Sequence, residues 1–254
     1  MIATRLLRLC GILLSQFWGV ALLLILWQIW VVAATPNSLI VVPPLAVLRD
    51  IAAEPSVYIN AAVWTLGVAL AGLAGGMLFG LLLAILAWSS NLISGFLGPA
   101  AILISSTPVV CLIPLLARIF GYHAPTELAT VLIMMFFPSF VFASAGLRNL
   151  PPMSAYLLET WNTSQLRRLR LLALPAAVPS LATAFRAGAA ASILVAVVAE
   201  YLMQTGGLGA LIAVTMQQFD IPRAFGASII AMLISTLLYT IAGSVEHRIR
   251  ERQS

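Results

Sequence analysis

Arg186 and Glu200 are ionisable side chains in an otherwise apolar stretch, residues 178–203. A charge at mid-bilayer costs on the order of 2.5–3.5 kcal/mol on insertion scales, so each needs a partner, water or an interfacial position. In a helix their separation corresponds to roughly 21 Å, which is too far for a direct ion pair. Each is therefore predicted either to reach water at a helix end or to contact loops or a solute path.

Other residue types that perform chemistry are scarce. His123 and His247 stand outside the apolar runs, which disfavours intramembrane haem ligation and a histidine-based hydrolase dyad. The sequence has no phosphate loop ending in GK[ST], no CxxC, no HExxH and no evident pair of intramembrane carboxylates. Cys10 and Cys111 both lie in apolar runs and indicate neither a disulfide framework nor a metal site. We expect a chain that is not an enzyme and that needs no cofactor.

The composition is that of a membrane protein. Hydrophobic residues make up 62% of the 254 residues and charged residues 8%, whereas soluble domains are about half apolar and a quarter charged. All 13 basic residues are arginines and the net charge is +5. In a soluble protein this excess would suggest nucleic acid, but here it is better explained by the orientation of membrane helices.

Apolar runs between charges, prolines and glycines predict an all-α membrane protein with about six transmembrane helices. We expect a single transmembrane domain over residues 1–254. Arg5 and Arg8 precede an apolar run that is too long for a typical signal peptide, so we expect a retained first span. The segment 204–223 is partly apolar and predicts a short helix that returns toward the membrane. The predicted spans are 11–33, 61–87, 97–117, 126–147, 178–203 and 224–245.

Arginine positions predict the orientation of these spans. If the N-terminus is cytoplasmic, the cytoplasmic side carries nine arginines and the outer side three, namely Arg49, Arg118 and Arg223. Such an excess is typical of cytoplasmic loops. Both termini and the loop 148–177 are therefore predicted to be cytoplasmic.

The loop 148–177 is predicted to form two short helices separated by a break. Asn162 suits a left-handed position at the break, because asparagine tolerates positive φ. Ser164 can cap a second helix that begins at Gln165. Pro175 is predicted to end that helix or to redirect the chain.

The second helix of the loop has one apolar edge. Leu166, Leu169 and Ala173 follow a helical stripe, and Arg167, Arg168 and Arg170 lie off it. Two interpretations remain open from the spacing alone. The element either fixes topology and meets anionic lipid as a basic loop, or it docks on a cytoplasmic partner.

The same segment resembles the cytoplasmic EAA loop of permease subunits from binding-protein-dependent ABC importers. Leu174–Pro175 match the LP pair that closes the family pattern, and Leu172 takes the aliphatic position before it. Asn162 takes the place of the family's glycine. Tyr156 stands at the family's glutamate position, and Glu159 is the nearest acid. The resemblance implies an ATPase-coupling loop that includes Glu159, Trp161, Asn162, Thr163, Ser164, Leu174 and Pro175.

Further segments resemble the same family in order and spacing. The stretch 174–202 is similar to the family's LPAALP…LR…AE segment, and Arg186 and Glu200 fall on its arginine and glutamate. The resemblance covers about residues 40–250 and is strongest to the nitrate, sulfonate and taurine branch. The other matching segments are PPLAVLRDI (43–51), STPVVCLIPLLARIFGYH (106–123), MMFFPSFVFASAGLRNLPP (134–152), GGLGALI (206–212) and FDIPRAFGASIIAM (219–232).

The resemblance implies a type I ABC importer permease fold, with an importer core at about 61–245 and an additional N-terminal span. It implies a homodimer in a bacterial plasma (inner) membrane, surrounded by lipid, with an ABC ATPase subunit below and an extracytoplasmic solute-binding protein above. ATP hydrolysis would then take place in the partner chain. Arg186 and Glu200 would serve the solute pathway or its gating. The solute would be a small polar or anionic compound such as a sulfonate, taurine, nitrate or a thiamine-precursor pyrimidine.

Alternatives from other classes are an ion-coupled secondary transporter and a membrane scaffold that binds another cytoplasmic partner. Small residues at 72–80 and 185–192 are consistent with a pathway lining, but close helix packing is the favoured explanation. Pro108, Pro114 and Pro138 are predicted to kink spans three and four.

Overall fold

The computed structural model describes residues 18–19, 22–33, 42–150 and 164–252. In this part of the chain all regular structure is helical. The helices are α1 (Leu22–Ala33), α2 (Pro44–Ala53), α3 (Pro55–Ser89), α4 (Asn91–Ser105), α5 (Val109–Phe120), α6 (Ala124–Arg148), α7 (Gln165–Met203), α8 (Gly207–Gln217) and α9 (Ile221–Glu251).

Four of these helices, α3, α6, α7 and α9, are long and apolar enough to cross a membrane. They contain the predicted spans 61–87, 126–147, 178–203 and 224–245. The short helix expected within 204–223 is confirmed as α8. The predicted first span 11–33 lies partly outside the described residues, and its described part contains α1.

The predicted span 97–117 is bent, as its prolines predict, but the bend is a full break between two helices. The chain forms two helices, α4 and α5, whose axes differ by 101°. The break falls at residues 106–108, where Pro108 lacks an amide hydrogen and holds an extended backbone before α5. Pro114 and Pro138 lie inside α5 and α6, and both helices continue past them.

Helix α7 occupies the middle of the bundle and packs against α3, α6, α8 and α9. Its small residues allow this, because alanine, glycine and serine let neighbouring backbones approach closely. The central apolar cluster joins α3, α6, α7 and α9 through Ala69, Leu73, Val131, Met135, Ala189, Ile193, Val195, Ala196 and Ala242.

The glycines of α3 serve packing against α6. A Cβ at Gly72 would lie 2.5 Å from the Cβ of Val131, and one at Gly76 would lie 2.7 Å from the carbonyl oxygen of Leu132. A Cβ at Gly80 would meet α6 at 2.8 Å. This face of α3 is therefore occupied by α6, and of the two explanations for the small residues at 72–80 the structure supports helix packing.

The bundle has two ends. We call the end that holds Ser89, Arg148, Gln165 and Glu251 the loop end, because it adjoins segment 151–163. The opposite end, with Pro55, Ala124, Met203 and Ile221, is called the far end.

Candidate functional site

The described part of the predicted coupling loop starts at Ser164. Helix α7 begins at Gln165, as predicted, and Ser164 precedes it with an extended backbone. The predicted side-chain cap is absent, because the Ser164 side chain makes no capping hydrogen bond. Four further residues of the predicted loop site lie outside the described residues: Glu159, Trp161, Asn162 and Thr163.

The prediction that Pro175 ends or redirects the helix is wrong. Helix α7 continues through it for 39 residues in all, from Gln165 to Met203. Residues Leu169–Ala173 form a π-helical turn immediately before Leu174. A proline ring clashes with the carbonyl of residue i−4 in a regular α-helix, and the wider π turn gives the ring room without breaking the helix.

One side of this segment packs on the bundle. Ala173 is fully buried, and Leu169 and Leu174 pack beside it against the loop ends of α3 and α6. A Cβ at Gly146 would lie 2.8 Å from the Cα of Ala177, so α6 and α7 cross in close contact here. The predicted apolar stripe is thus confirmed for Leu169 and Ala173.

The other side of the segment is exposed. Leu166, predicted to belong to the apolar edge, is 56% exposed, and Leu171 is 66% exposed. Arg167, Arg170 and Pro175 are exposed as well. The segment 164–175 therefore offers a surface that combines aliphatic and cationic side chains at the loop end.

Glu200 is completely buried near the far end of α7. Its Oε2 accepts the Thr65 hydroxyl at 2.8 Å and the Gly209 N–H at 3.0 Å. The Thr65 oxygen in turn accepts the Leu208 N–H at 2.8 Å. Within the described part of the chain, Glu200 is enclosed by protein on all sides. It ties α7 to α3 and to the first turn of α8, where a carboxylate is favoured by the free N–H groups.

Two glycines make room for the Glu200 carboxylate. Gly207 has φ of +76°, and a Cβ there would lie 2.3 Å from Cδ of Glu200. A Cβ at Gly209 would lie 2.1 Å from the Val197 carbonyl oxygen. The pattern GGLG at 206–209 is thus required by the close approach of α8 to α7, and glycine is the residue type that fits.

A second buried carboxylate, Glu127, lies beside this site and was missed by the sequence analysis. It accepts a hydrogen bond from the Trp64 indole at 3.1 Å and another from the Thr205 hydroxyl. Trp64 and Thr65 are adjacent on α3, so α3 holds Glu127 and Glu200 with neighbouring side chains. Glu127 is thus a second fully buried acid, close to Glu200. Glu127 could not be distinguished from a surface charge because it stands in the first turn of α6.

Arg186 has a partner that the sequence analysis also missed. Its guanidinium forms an ion pair with Glu246 of α9 at 3.1 Å and lies 4.6 Å from the centre of the Tyr239 ring. Glu246 also accepts the Thr183 hydroxyl at 2.8 Å and Arg250 at 2.9 Å. The i, i+4 spacing of Glu246 and Arg250 could have indicated their pair. The network ties α7 to α9 near the loop end.

A third network lies at the far end. Arg223 of α9 contacts Asp50 of α2 at 3.3 Å and Glu54, just after α2, at 2.8 Å. Tyr58 of α3 donates its hydroxyl to Asp50. The guanidinium also lies 3.6 Å from Asp220. Arg223, which the arginine pattern places on the outer side, therefore joins α2, α3 and α9.

The three networks, centred on Arg186, Glu200 and Arg223, hold one helix against another and place no nucleophile beside a general base. Among the described residues no group of three His, Cys, Asp or Glu side chains could hold a metal ion. Such a bundle, with several helices long and apolar enough to cross a membrane, is that of a multi-pass membrane protein.

Residues 76–251 match the family described as binding-protein-dependent transport system inner membrane component. The chain belongs to this family and is a permease subunit of the ABC importer class. It is 31% identical to a probable ABC transporter permease protein of Haemophilus influenzae, over 93% of this chain and 96% of that one.

A second relative is the formylaminopyrimidine transport permease protein ThiX of Halalkalibacterium halodurans, 26% identical over 89% of this chain and 90% of that one. Among solved structures, a chain from an amino acid ABC transporter crystallised with histidines superimposes with a TM-score of 0.65 at 16% identity. The match covers 80% of this chain and 97% of that chain. The resemblance inferred from the sequence is confirmed, and so is the fold class.

Proposed function

We propose that this chain forms the solute pathway of an ATP-driven importer and that residues 159–175 couple it to a separate ABC ATPase. The observation that carries the proposal is the continuity of α7, which runs from the exposed segment at Gln165 to Met203 in one 39-residue helix. At 1.5 Å per residue this is about 58 Å. A displacement of the loop end is therefore passed to the far end without an intervening joint.

Within this coupling element the side chains have different tasks. Leu174 is half-buried against the bundle and positions the segment, and the π turn before Pro175 lets the helix continue through the proline. Leu166 and Leu171 are exposed and supply apolar contact to the ATPase. Glu159, Trp161, Asn162 and Thr163 complete the element by the family resemblance, with Ser164 at the start of the helix.

Arg186 and Glu200 serve gating through the helix contacts that they make. Arg186 joins α7 to α9 at one level, and Glu200 joins α7 to α3 and α8 at another. A transporter must change between two arrangements of its helices, and each ligand biases that equilibrium by its different affinity for the two. The contacts of Arg186 and Glu200 determine which helices move together with α7 when the ATPase displaces the loop end.

The partners and location follow from the family and the arginine pattern. The loop end, which carries Arg148, Arg167, Arg170, Arg248 and Arg250, faces the cytoplasm of a bacterial cell, and the chain lies in the plasma (inner) membrane. A solute-binding protein delivers the solute to the far end, and two copies of the chain enclose the pathway.

The solute is a small polar or anionic compound, of the class that includes sulfonates, taurine, nitrate and thiamine-precursor pyrimidines. A relative named for formylaminopyrimidine transport supports this class.

Copurification of the ATPase tests the coupling element. We expect Leu166→Asp to lower the amount of ATPase that copurifies with the tagged chain, because a charge replaces an exposed aliphatic contact. Leu202→Asp is the matched control, since Leu202 is an exposed leucine at the far end of the same helix. Equal copurification by both variants and the unaltered chain, with a second variant Leu171→Asp also without effect, would refute this role of the segment.

A second candidate function is ion-coupled secondary transport. The specific observation in its favour is the pair of fully buried acids, Glu127 and Glu200, because membrane-embedded acids often mark ion pathways. The two candidate functions differ in their energy source, which is ATP for the importer and an ion gradient for the secondary transporter. Uptake by proteoliposomes under each condition distinguishes them.

A further inference from the structure

A polar cavity of about 640 Å³ opens between α7 and α9 at the loop end. It lies on the side of Arg186 that faces Gly243, where a Cβ would approach the guanidinium Nε to 3.2 Å. Its wall combines cationic groups, hydroxyl groups and one acid: Arg186, Tyr239, Thr240, Gly243, Ser244, His247, Arg248 and Glu251.

The charges of the cavity are only partly neutralised. The Glu246 carboxylate binds both Arg186 and Arg250, and the Glu251 carboxylate lies 3.3 Å from the His247 ring, which carries a charge only when protonated. Arg248 is exposed, and no acceptor is in contact with it in the described part of the chain. The Nε of Arg186 is buried and likewise has no hydrogen-bond acceptor among the described residues. Arg248 therefore has unused donors at the cavity, and together with Arg250 three arginines stand against the two acids Glu246 and Glu251, so the complement of the site is an oxyanion.

The depth of the cavity indicates where that oxyanion comes from. Helix α9 has 31 residues, about 46 Å at 1.5 Å per residue, so it is longer than the ~30 Å hydrocarbon layer. The polar and charged residues of the cavity, from Tyr239 to Glu251, occupy about its last three and a half turns. They therefore lie at the level of the lipid head groups, where tyrosine and arginine are typically found.

An aliphatic ridge continues from the cavity along the outer face of α9. Leu233 and Leu237 lie beyond the cavity toward the far end, Ile241 and Val245 lie beside it, and these four residues are exposed at intervals of four. Residues four apart lie side by side along a helix. A ligand with an anionic head and an aliphatic tail therefore finds the cavity and the ridge in the correct order, whereas a small free anion uses the cavity alone.

We propose that this cavity binds the phosphate head group of an anionic phospholipid from the leaflet at the loop end. Arg186 and Arg248 contact the phosphate oxygens, Thr240 and Ser244 line the polar wall, and one acyl chain lies along the α9 ridge. Basic pockets between membrane helices recognise anionic head groups in this way. Because Arg186 also ties α7 to α9, a lipid bound there stabilises the contact between these two helices.

Native mass spectrometry of the full-length chain in neutral detergent tests the site, with phosphatidylglycerol as the probe and phosphatidylcholine as the uncharged-lipid control. We expect phosphatidylglycerol to bind more tightly, and Arg248→Gln to weaken it about fivefold, the effect of one surface arginine on an anionic lipid. Arg252→Gln is the matched control, because it removes the same charge four residues further on and outside the cavity. We expect less than half of the Arg248→Gln effect from it.

A steric variant and a soluble anion complete the test. Ser244→Leu keeps every charge but fills the cavity, and we expect it to weaken phosphatidylglycerol as well. The proposal is overturned if Arg252→Gln and Arg248→Gln act equally, if the two lipids bind equally, or if Ser244→Leu has no effect. Displacement of phosphatidylglycerol by an excess of inorganic phosphate would assign the cavity to free oxyanions and would also overturn the lipid site.

Discussion

The Gly209 N–H donates to the Glu200 carboxylate at 3.0 Å, and a Cβ at position 209 would lie 2.1 Å from the Val197 carbonyl oxygen. The hydrogen bond and the close approach of backbones depend on each other. Without glycine at 209 the first turn of α8 could not come near enough to donate to Glu200. This contact fixes α8 on the far end of α7, which is the helix that we assign to coupling.

Gly209→Ala is expected to destabilise the chain by about 1–3 kcal/mol, the usual cost of forcing extra volume into a packed contact. Its thermal unfolding midpoint in detergent should fall. Gly67→Ala is the matched control, because a Cβ at Gly67 meets nothing within 4 Å and alanine favours a helix by about 1 kcal/mol. A midpoint for Gly209→Ala at or above that of the unaltered chain would contradict the structure at this contact.

Glu200→Ala and Glu200→Gln should separate the hydrogen bonds of Glu200 from its charge. Alanine leaves the Gly209 N–H without an acceptor, at about 1–3 kcal/mol for a buried donor left unpaired, whereas the Thr65 hydroxyl can still donate to the Ala61 carbonyl oxygen at 3.2 Å. Glutamine retains a carbonyl oxygen for both donors. We therefore expect a large fall of the unfolding midpoint for alanine and a small change for glutamine. Equal losses for the two variants would show that the charge itself is needed.

Glu246→Ala should destabilise the chain more than Arg186→Ala does. Glu246 accepts hydrogen bonds from Thr183, Arg186 and Arg250, so its removal leaves three donors without this acceptor. Removal of the Arg186 side chain still leaves Glu246 with hydrogen bonds from Thr183 and Arg250. Thermal unfolding of the two single variants and of the double variant measures the coupling between them. The reverse order of the two single effects would refute this network.

Gly76→Ala tests the assignment of the α3 glycines to helix packing. The added methyl group would lie 2.7 Å from the Leu132 carbonyl oxygen, so we expect a lower unfolding midpoint and a loss of about 1–3 kcal/mol. A glycine that faced an open pathway would tolerate the same methyl group. An unchanged midpoint with altered solute uptake would therefore favour the pathway interpretation.

The sequence was sufficient to predict the long helices, because each contains an uninterrupted apolar run. It also predicted the start of α7 at Gln165 and the presence of α8. Prediction failed at Pro175, because a proline preceded by a π turn and one that ends a helix look alike in sequence. The kink at Pro108 in the third span was predicted, but not its size of 101°, because a proline marks the position of a bend and not its angle.

The partners of the charged residues could not be predicted. Thr65 and Glu200 are 135 residues apart, and Arg186 and Glu246 are 60 residues apart. In each pair, the sequence around one residue does not indicate which distant residue is its partner. Arg186 and Glu200 were singled out because charge is rare in an apolar run, whereas Glu127 and Glu246 stand near helix ends, where a charge normally meets water.

ATP-dependent uptake by proteoliposomes tests the central claim most directly. The vesicles contain this chain with its ATPase, and the solute-binding protein loaded with labelled solute is supplied at the outer face. We predict uptake that needs ATP and the binding protein, that persists when ion gradients are abolished, and that falls with Leu166→Asp but not with Leu202→Asp. Uptake without ATP that follows an imposed proton or sodium gradient and is lost in Glu200→Gln would contradict the account and would support a secondary transporter.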